Sequence, residues 1–275
     1  LSVFLSATLF GQNVYIPDAN FKAYLVGNSE INTNGDTEIQ VSEATTVGSI
    51  YCLGQNISDL TGIEAFTALT LLYCHSNQLA SLDVSQNTAL VSLACGGNQL
   101  TSLDVSQNTA LIGLWCAGNQ LSSLDVSQNS ALTSLHCGYN QLTSLDLSQN
   151  TAIWNVMVET NQLTCLNVAN GNYLSFSDCM FNDNPNLTCI EVDDVEWAES
   201  NWTNMNAQID PQMYFSEDCN NDCSSSTVDL NELTSSKNLI QILDLMGRET
   251  SFKPNTPLIY VYDDGSIEKV FSVEY

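Results

Sequence analysis

The chain has 275 residues, of which 31 are acidic and five are basic, and its formal net charge is -26. No Lys or Arg lies between Lys22 and Lys237. We therefore expect no nucleic-acid partner and no binding to anionic membranes, since both need clustered basic residues.

The first ten residues form an apolar run that ends at Gly11. This run has the length of a signal-peptide core and is too short to span a bilayer. We expect residues 1–11 to be a signal-peptide remnant; a buried N-terminal strand is the alternative. No later segment reaches the roughly 20 apolar residues that a spanning helix needs, so we expect no transmembrane segment.

Residues 12–46 predict a short helix followed by a polar loop. The helix has Phe21 and Leu25 on one face and ends near Gly27. The loop resembles the EF-hand calcium loop, whose positions 1, 3, 5, 7 and 12 supply the ligands. Those positions hold Asn32, Asn34, Asp36, Glu38 (through its carbonyl) and Glu43. A calcium site is expected here, although Thr37 stands where the EF-hand loop has Gly, and the alternative is a structural turn.

An Asn-Gln-Leu triplet recurs every 21 residues, beginning at Asn77, Asn98, Asn119, Asn140 and Asn161. A period of this length indicates a solenoid of stacked coils. The unit reads LxxLxCxxNQLxxLDVSQNTA and resembles the bacterial leucine-rich repeat, with Cys at the third apolar position of LxxLxLxxNxL. The resemblance covers about residues 47–192.

This resemblance implies an α/β-type repeat solenoid, a horseshoe or arc with a parallel β-sheet, a helical N-terminal cap and a small C-terminal β tail. Each coil would contribute one short strand, with Leu93 and Cys95 pointing inward and Ser92 and Ala94 outward. Asn98 and its equivalents would hydrogen-bond the backbone of neighbouring turns.

Six cysteines share one inward position in this interpretation: Cys52, Cys74, Cys95, Cys116, Cys137 and Cys179. Val158 takes that position in its own coil, which favours apolar packing over a redox or metal role. The four remaining cysteines are Cys165, Cys189, Cys219 and Cys223, and they allow three pairings. We favour a disulfide between Cys189 and Cys219 that closes the end of the solenoid.

The sequence after the repeats divides into three parts. Residues 193–219 predict a C-terminal cap in which Trp197 or Trp202 covers the last coil. Residues 220–236 predict a linker, and residues 237–275 contain three strand-like runs, at 239–243, 258–262 and 270–273. This last part resembles the sorting domains of the bacterial type IX secretion system, through Asp-Leu-Met-Gly-Arg-Glu at 244–249 and Tyr-Val-Tyr-Asp-Asp-Gly at 260–265. The resemblance implies export by that machinery to the medium or the cell surface; an ordinary small β domain is the alternative.

The outward strand positions vary from coil to coil, whereas Leu-Asp-Val-Ser-Gln-Asn is nearly invariant. Exposed aromatic residues on a sheet favour recognition. The predicted binding face, for an extracellular protein or glycan, comprises Tyr51, Tyr73, His75, Trp115, His136, Tyr139, Met157, Phe176 and Asp178.

No constellation in the sequence favours catalysis. The acidic column of Asp83, Asp104, Asp125 and Asp146 repeats in every coil, which points to a scaffold rather than to a catalytic pair. We therefore predict a non-catalytic binding protein that is secreted or held at the bacterial cell surface. Ice or crystal-surface binding by the regular Asn-Thr rows is the alternative, and a polysaccharide-degrading enzyme ranks third.

Overall fold

The computed structural model of the protein describes residues 11–176, 178–202, 209–219 and 223, together with the backbone of residues 239–243, 257–262 and 267–271. The chain divides into two units, Leu1–Ser225 and Ser226–Tyr275. The apolar run 1–10, the 244–249 motif and, apart from Cys223, the predicted linker lie outside the described residues.

The N-terminal end of the solenoid is covered by the helix Ala19–Gly27, and a second short helix, Val41–Ala44, follows. Asp18 begins the first helix, because its carboxylate accepts the backbone N–H groups of Asn20 and Phe21. The other Asp18 oxygen accepts the backbone N–H and hydroxyl of Ser58, which ties the helix to the first coil. Phe21 and Leu25 are fully buried beneath the helix, so the cap supplies apolar cover for the end of the core.

The first sheet contains seven parallel strands in chain order: Ser49–Tyr51, Leu71–Tyr73, Ser92–Ala94, Gly113–Trp115, Ser134–His136, Asn155–Met157 and Asp178–Met180. The central residue of each strand faces the core. Leu93 pairs in register with Leu72 and Leu114, and all three are fully buried. The predicted strand register, with alternate residues facing outward, is thus confirmed for the central coils.

A second parallel sheet, which the sequence did not predict, joins the last coils. Its strands are Ser144–Asp146, Cys165–Asn167, Cys189–Glu191 and Tyr214–Ser216. The first of them is built from the Leu-Asp segment of the repeat. A three-residue strand is too short to produce a detectable alternation, which is why periodicity missed it. Short 3₁₀ turns occur at Ile63–Ala65 and Tyr173–Ser175.

The last coil departs from the predicted alignment. Met180 pairs with Met157, so Cys179 lies beside Val156 and Asp178 beside Asn155. The predicted place of Cys179 in the cysteine column is therefore wrong, and the fully buried Phe181 occupies that place. The cause is the length of the coil. Asn184 makes the hydrogen bonds that Asn161 makes one coil earlier, but it lies two residues further along the chain than a constant 21-residue period predicts.

Side-chain ladders join the coils, as predicted for the Asn-Gln-Leu triplet. Asn98 donates to the carbonyls of Cys74 and Cys95 at 3.2 and 2.9 Å and accepts the N–H of Leu79. Asn108 donates to the carbonyls of Val84 and Asn87. The second ladder contains Asn87, Asn108, Asn129 and Asn150, all at most 1% exposed. These amides therefore satisfy backbone groups rather than forming the outward amide rows on which the ice-binding alternative relied.

The acidic column is part of the same scaffold. Asp83 accepts the N–H of Ser85 at 2.9 Å, and Asp104 accepts that of Ser106 in the same way. These backbone hydrogen bonds, with the hydroxyls of the same serines, hold the pKa of both aspartates below its ordinary value. The carboxylates thus stabilise one turn per coil.

The cysteine column is thiol-rich and buried. Cys52, Cys74, Cys95, Cys116 and Cys137 are free and 0% exposed. Burial raises the pKa of the Cys52 and Cys95 thiols to about 12. The thiols therefore stay protonated at neutral pH and pack as small apolar groups.

Two disulfides fasten the C-terminal end. The predicted bridge between Cys189 and Cys219 is confirmed, with a Cα–Cα distance of 5.8 Å, and a second bridge joins Cys165 to Cys223. The helix Val195–Asn201 leads into Trp202, which is 3% exposed. The Trp202 ring contacts four aromatic rings edge to face: Phe176, Phe181, Trp197 and Phe215. Trp202 therefore covers the last coil, as expected of a cap.

The described strands of the second unit are Leu239–Leu243, Pro257–Tyr262 and Ile267–Phe271, and they form an antiparallel sheet with Pro257–Tyr262 in the middle. The first two agree with the predicted runs. The third begins at Ile267, earlier than the predicted run at 270–273.

Candidate functional site

The outward face of the first sheet carries two columns of side chains. The first column consists of the third residue of each strand, directly after the buried central residue: Tyr51, Tyr73, Ala94, Trp115, His136, Met157 and Met180. The second column consists of the first residue of each strand and includes Leu71, Ser92, Gly113, Ser134 and Asn155. Because the residue types vary along the first column, each coil is chemically different on this face.

A groove of about 440 Å³ lies on the face. It is lined by Tyr73, His75, Ser76, Ala94, Gly96, Trp115, Ala117 and His136. The small side chains of Ala94 and Ala117, with Gly96, leave space between the larger side chains of neighbouring coils. The fold therefore brings together four of the predicted binding residues, namely Tyr73, His75, Trp115 and His136.

Trp115 owes its position to a glycine in its own strand. A Cβ atom at Gly113 would overlap with the six-membered ring of the Trp115 indole. The indole therefore lies back over Gly113, half-buried at one wall of the groove. Tyr73 forms the opposite wall, and Tyr51 packs edge to face against it with ring centroids 5.3 Å apart. Both walls of the groove are therefore aromatic.

A polar pair adjoins the groove at His136. The imidazole Nε2 lies 3.0 Å from Oε1 of Glu159, whose residue is only 7% exposed. Gly138 makes room for this carboxylate, because a Cβ there would lie 2.6 Å from Glu159 Cδ. Glu159 was not among the predicted binding residues. The sequence offered one indication of it: Gly138 aligns with Glu159 of the next coil, so a residue without a side chain lies beside the glutamate.

The other predicted residues are more dispersed. Met157 is half-buried beside His136, and Asp178 lies in the neighbouring column. Tyr139 is 58% exposed at a turn and has a left-handed backbone, with φ of 56°. Phe176 is a correction: its ring is 3% exposed and packs on Trp202, so it belongs to the C-terminal cap.

The predicted calcium loop is held together by its own hydrogen bonds. Glu43 accepts four, from the N–H and hydroxyl of Thr33 and the N–H groups of Asn34 and Gln40. Burial raises the pKa of Glu43, but these donors outweigh it and hold the pKa below its ordinary value. Asn32 donates to the carbonyls of Val26 and Asp36. In the described part of the chain, no three His, Cys, Asp or Glu residues are grouped to hold a metal. The calcium site stays a prediction.

No family model matches the chain. Internalin J of Listeria monocytogenes serotype 4b (strain F2365) is 39% identical over 75 residues, which make up 27% of this chain and 8% of internalin J. The crystal structure of internalin C2 from L. monocytogenes 4b F2365 superposes with a TM-score of 0.55 at 16% identity, covering 73% of this chain and 94% of that one. The fold is a leucine-rich-repeat solenoid.

The structure of the functional domain of InlJ from L. monocytogenes, described as including a cysteine ladder, is also similar. It is 30% identical, with a TM-score of 0.42, and the match covers 66% of this chain and 52% of that domain. This chain thus spans about half of the InlJ domain and a small part of internalin J. In the part of the chain that the structure describes, no helix is long and apolar enough to cross a membrane.

Proposed function

We propose that this solenoid is a non-catalytic binding module that recognises a protein partner through the groove of its first sheet. The observation that carries the proposal is that each coil has one set of side chains that is constant and another that varies. Asn98, Asp104 and Asn108 are committed to hydrogen bonds of the scaffold, whereas the side chains that line the groove vary. A fixed scaffold with a variable aromatic groove is the arrangement of a recognition surface.

One further feature supports this function. The similarity to internalins, which are non-enzymatic leucine-rich-repeat binding proteins, favours a protein over a glycan as the partner.

The test is to present the labelled protein to an array of extracellular protein domains and, in parallel, to a glycan array. Trp115→Ala should abolish the signal on the bound protein, since loss of a buried aromatic anchor weakens binding by about 2 kcal/mol or more. Trp154→Ala is the matched control, because Trp154 is 42% exposed but does not line the groove. Signals on glycans alone, or equal loss for both variants, would contradict the proposal.

The export route is a second part of the proposal. We infer that residues 237–275 direct the chain through type IX secretion to the medium or the cell surface. The antiparallel sheet of this region and the motifs at 244–249 and 260–265 support this role. Fusing residues 220–275 to an exported fluorescent reporter in a bacterium with this machinery tests it. A reporter retained in the periplasm would contradict the route.

A further inference from the structure

The described chain contains two equally buried glutamates with opposite environments. Glu43 and Glu159 are each 7% exposed. Glu43 accepts four hydrogen bonds from its own loop, whereas Glu159 has His136 Nε2 as its hydrogen-bond partner and its second oxygen, Oε2, is buried without one. Burying a carboxylate is costly unless it is compensated by hydrogen bonds or by a positive charge. The fold compensates Glu43 at both oxygens, whereas Glu159 is compensated only at Oε1, through His136.

The chain supplies no permanent positive charge to Glu159 from the solenoid. Lys22 is the sole Lys or Arg before Lys237 in the sequence. Its ammonium lies 2.6 Å from Glu38 in the N-terminal cap and is therefore already paired. A compensating cation at Glu159 must come from outside the solenoid or from protonation of His136.

The location of the His136–Glu159 pair beside the groove indicates which kind of cation could compensate Glu159. His136 lines the groove, and Glu159 lies next to it on the following coil. In the tautomer with its proton on Nε2, the His136 imidazole donates to Glu159 and leaves Nδ1 as an acceptor. Trp115 pairs with His136 in register, and an indole ring is the strongest aromatic partner for a cation. An acceptor backed by a buried carboxylate, next to an indole, matches an Arg or Lys side chain.

We infer that the groove takes an Arg or Lys side chain of the partner protein, with its positive group at the His136–Glu159 pair and its stem against Trp115. This inference rests on the proposed function and names the chemistry of the partner. The net charge of -26 acts in the same direction, because it attracts basic segments over a longer range.

The experiment is selection of random peptides displayed on phage against the immobilised protein. Peptides that bind should carry Arg or Lys, and replacing that residue by neutral citrulline or norleucine should weaken binding about tenfold or more. Glu159→Gln, which keeps an acceptor for His136 but removes the charge, should weaken the same peptides equally. Asp125→Asn removes an exposed charge of the scaffold column and should change binding little.

Combining the protein variant with the neutral peptide tests whether Glu159 and the peptide cation interact. If they do, Glu159→Gln should no longer weaken binding when the peptide carries citrulline or norleucine in place of its Arg or Lys. Peptides that need Trp115 but no cation would overturn this inference and leave the proposed function standing. Peptides that bind regardless of Trp115, or a selection that yields none, would overturn both. If Glu159→Gln does not fold, the neutral peptides decide alone on the wild-type protein.

Discussion

Replacing Leu114 with Ala is expected to destabilise the solenoid by about 3 to 5 kcal/mol, the upper part of the range for buried Leu to Ala changes. Leu114 is fully buried and pairs in register with Leu93 and Leu135, which are also fully buried. Because both neighbours are fixed by strand hydrogen bonds to the next coils, they have little freedom to close the cavity. The cost should therefore remain close to that of an unrelaxed void.

The assay is urea unfolding followed by circular dichroism, with Trp115→Ala as the matched control. Trp115 adjoins Leu114 but points outward, so its removal should change the free energy of unfolding by about 1 kcal/mol or less. The reverse order, with Trp115→Ala strongly destabilising and Leu114→Ala harmless, would refute the strand register and place the proposed groove in the core.

Three other predictions concern the scaffold and the cap. Because burial raises the pKa of the Cys52 and Cys95 thiols to about 12, native protein at pH 8 should resist alkylation that unfolded protein undergoes readily, as read by mass spectrometry; rapid native labelling would contradict it. Glu43→Gln should destabilise the N-terminal cap by about 2 kcal/mol. Hydrogen bonds depress the pKa of Glu43 below its ordinary value of 4.5, so the ionised carboxylate stabilises the folded protein. The difference in melting temperature between wild type and Glu43→Gln should therefore be largest above pH 4.5 and should shrink as the pH falls through the lowered pKa. A difference that persists in acid would exclude a charged Glu43 as its cause. If calcium binds at Asn32, Asn34, Asp36 and Glu43, it should raise the melting temperature relative to chelator, and equal melting curves would show that the loop is purely structural.

The repeat made most of the solenoid predictable. A 21-residue period fixes which side chains share a column, and alternation along each strand assigns Leu93 to the core and Trp115 to the surface. The same reasoning failed in the last coil, because it assumed a constant period. The longer coil before Asn184 moved Phe181 into the core, and Phe176 packs on Trp202.

The site was predictable only in part, since columns can be read from the repeat but contacts between side chains cannot. Tyr73, Trp115 and His136 were identified by their outward positions. The repeat aligns Gly138 with Glu159, but the contact of Glu159 with His136 becomes visible only when the coils are stacked. The second sheet was missed for a similar reason, because a three-residue strand gives too little alternation to detect.

The most direct test of the central claim is hydroxyl-radical footprinting of the solenoid with and without its bound protein partner. Protection is expected at Tyr73, Trp115 and His136, which line the groove. Tyr214, which is 57% exposed on the second sheet, should keep its reactivity. Protection of Tyr214 with unchanged labelling of Tyr73 and Trp115 would show that the partner binds elsewhere and that the groove is not the recognition site.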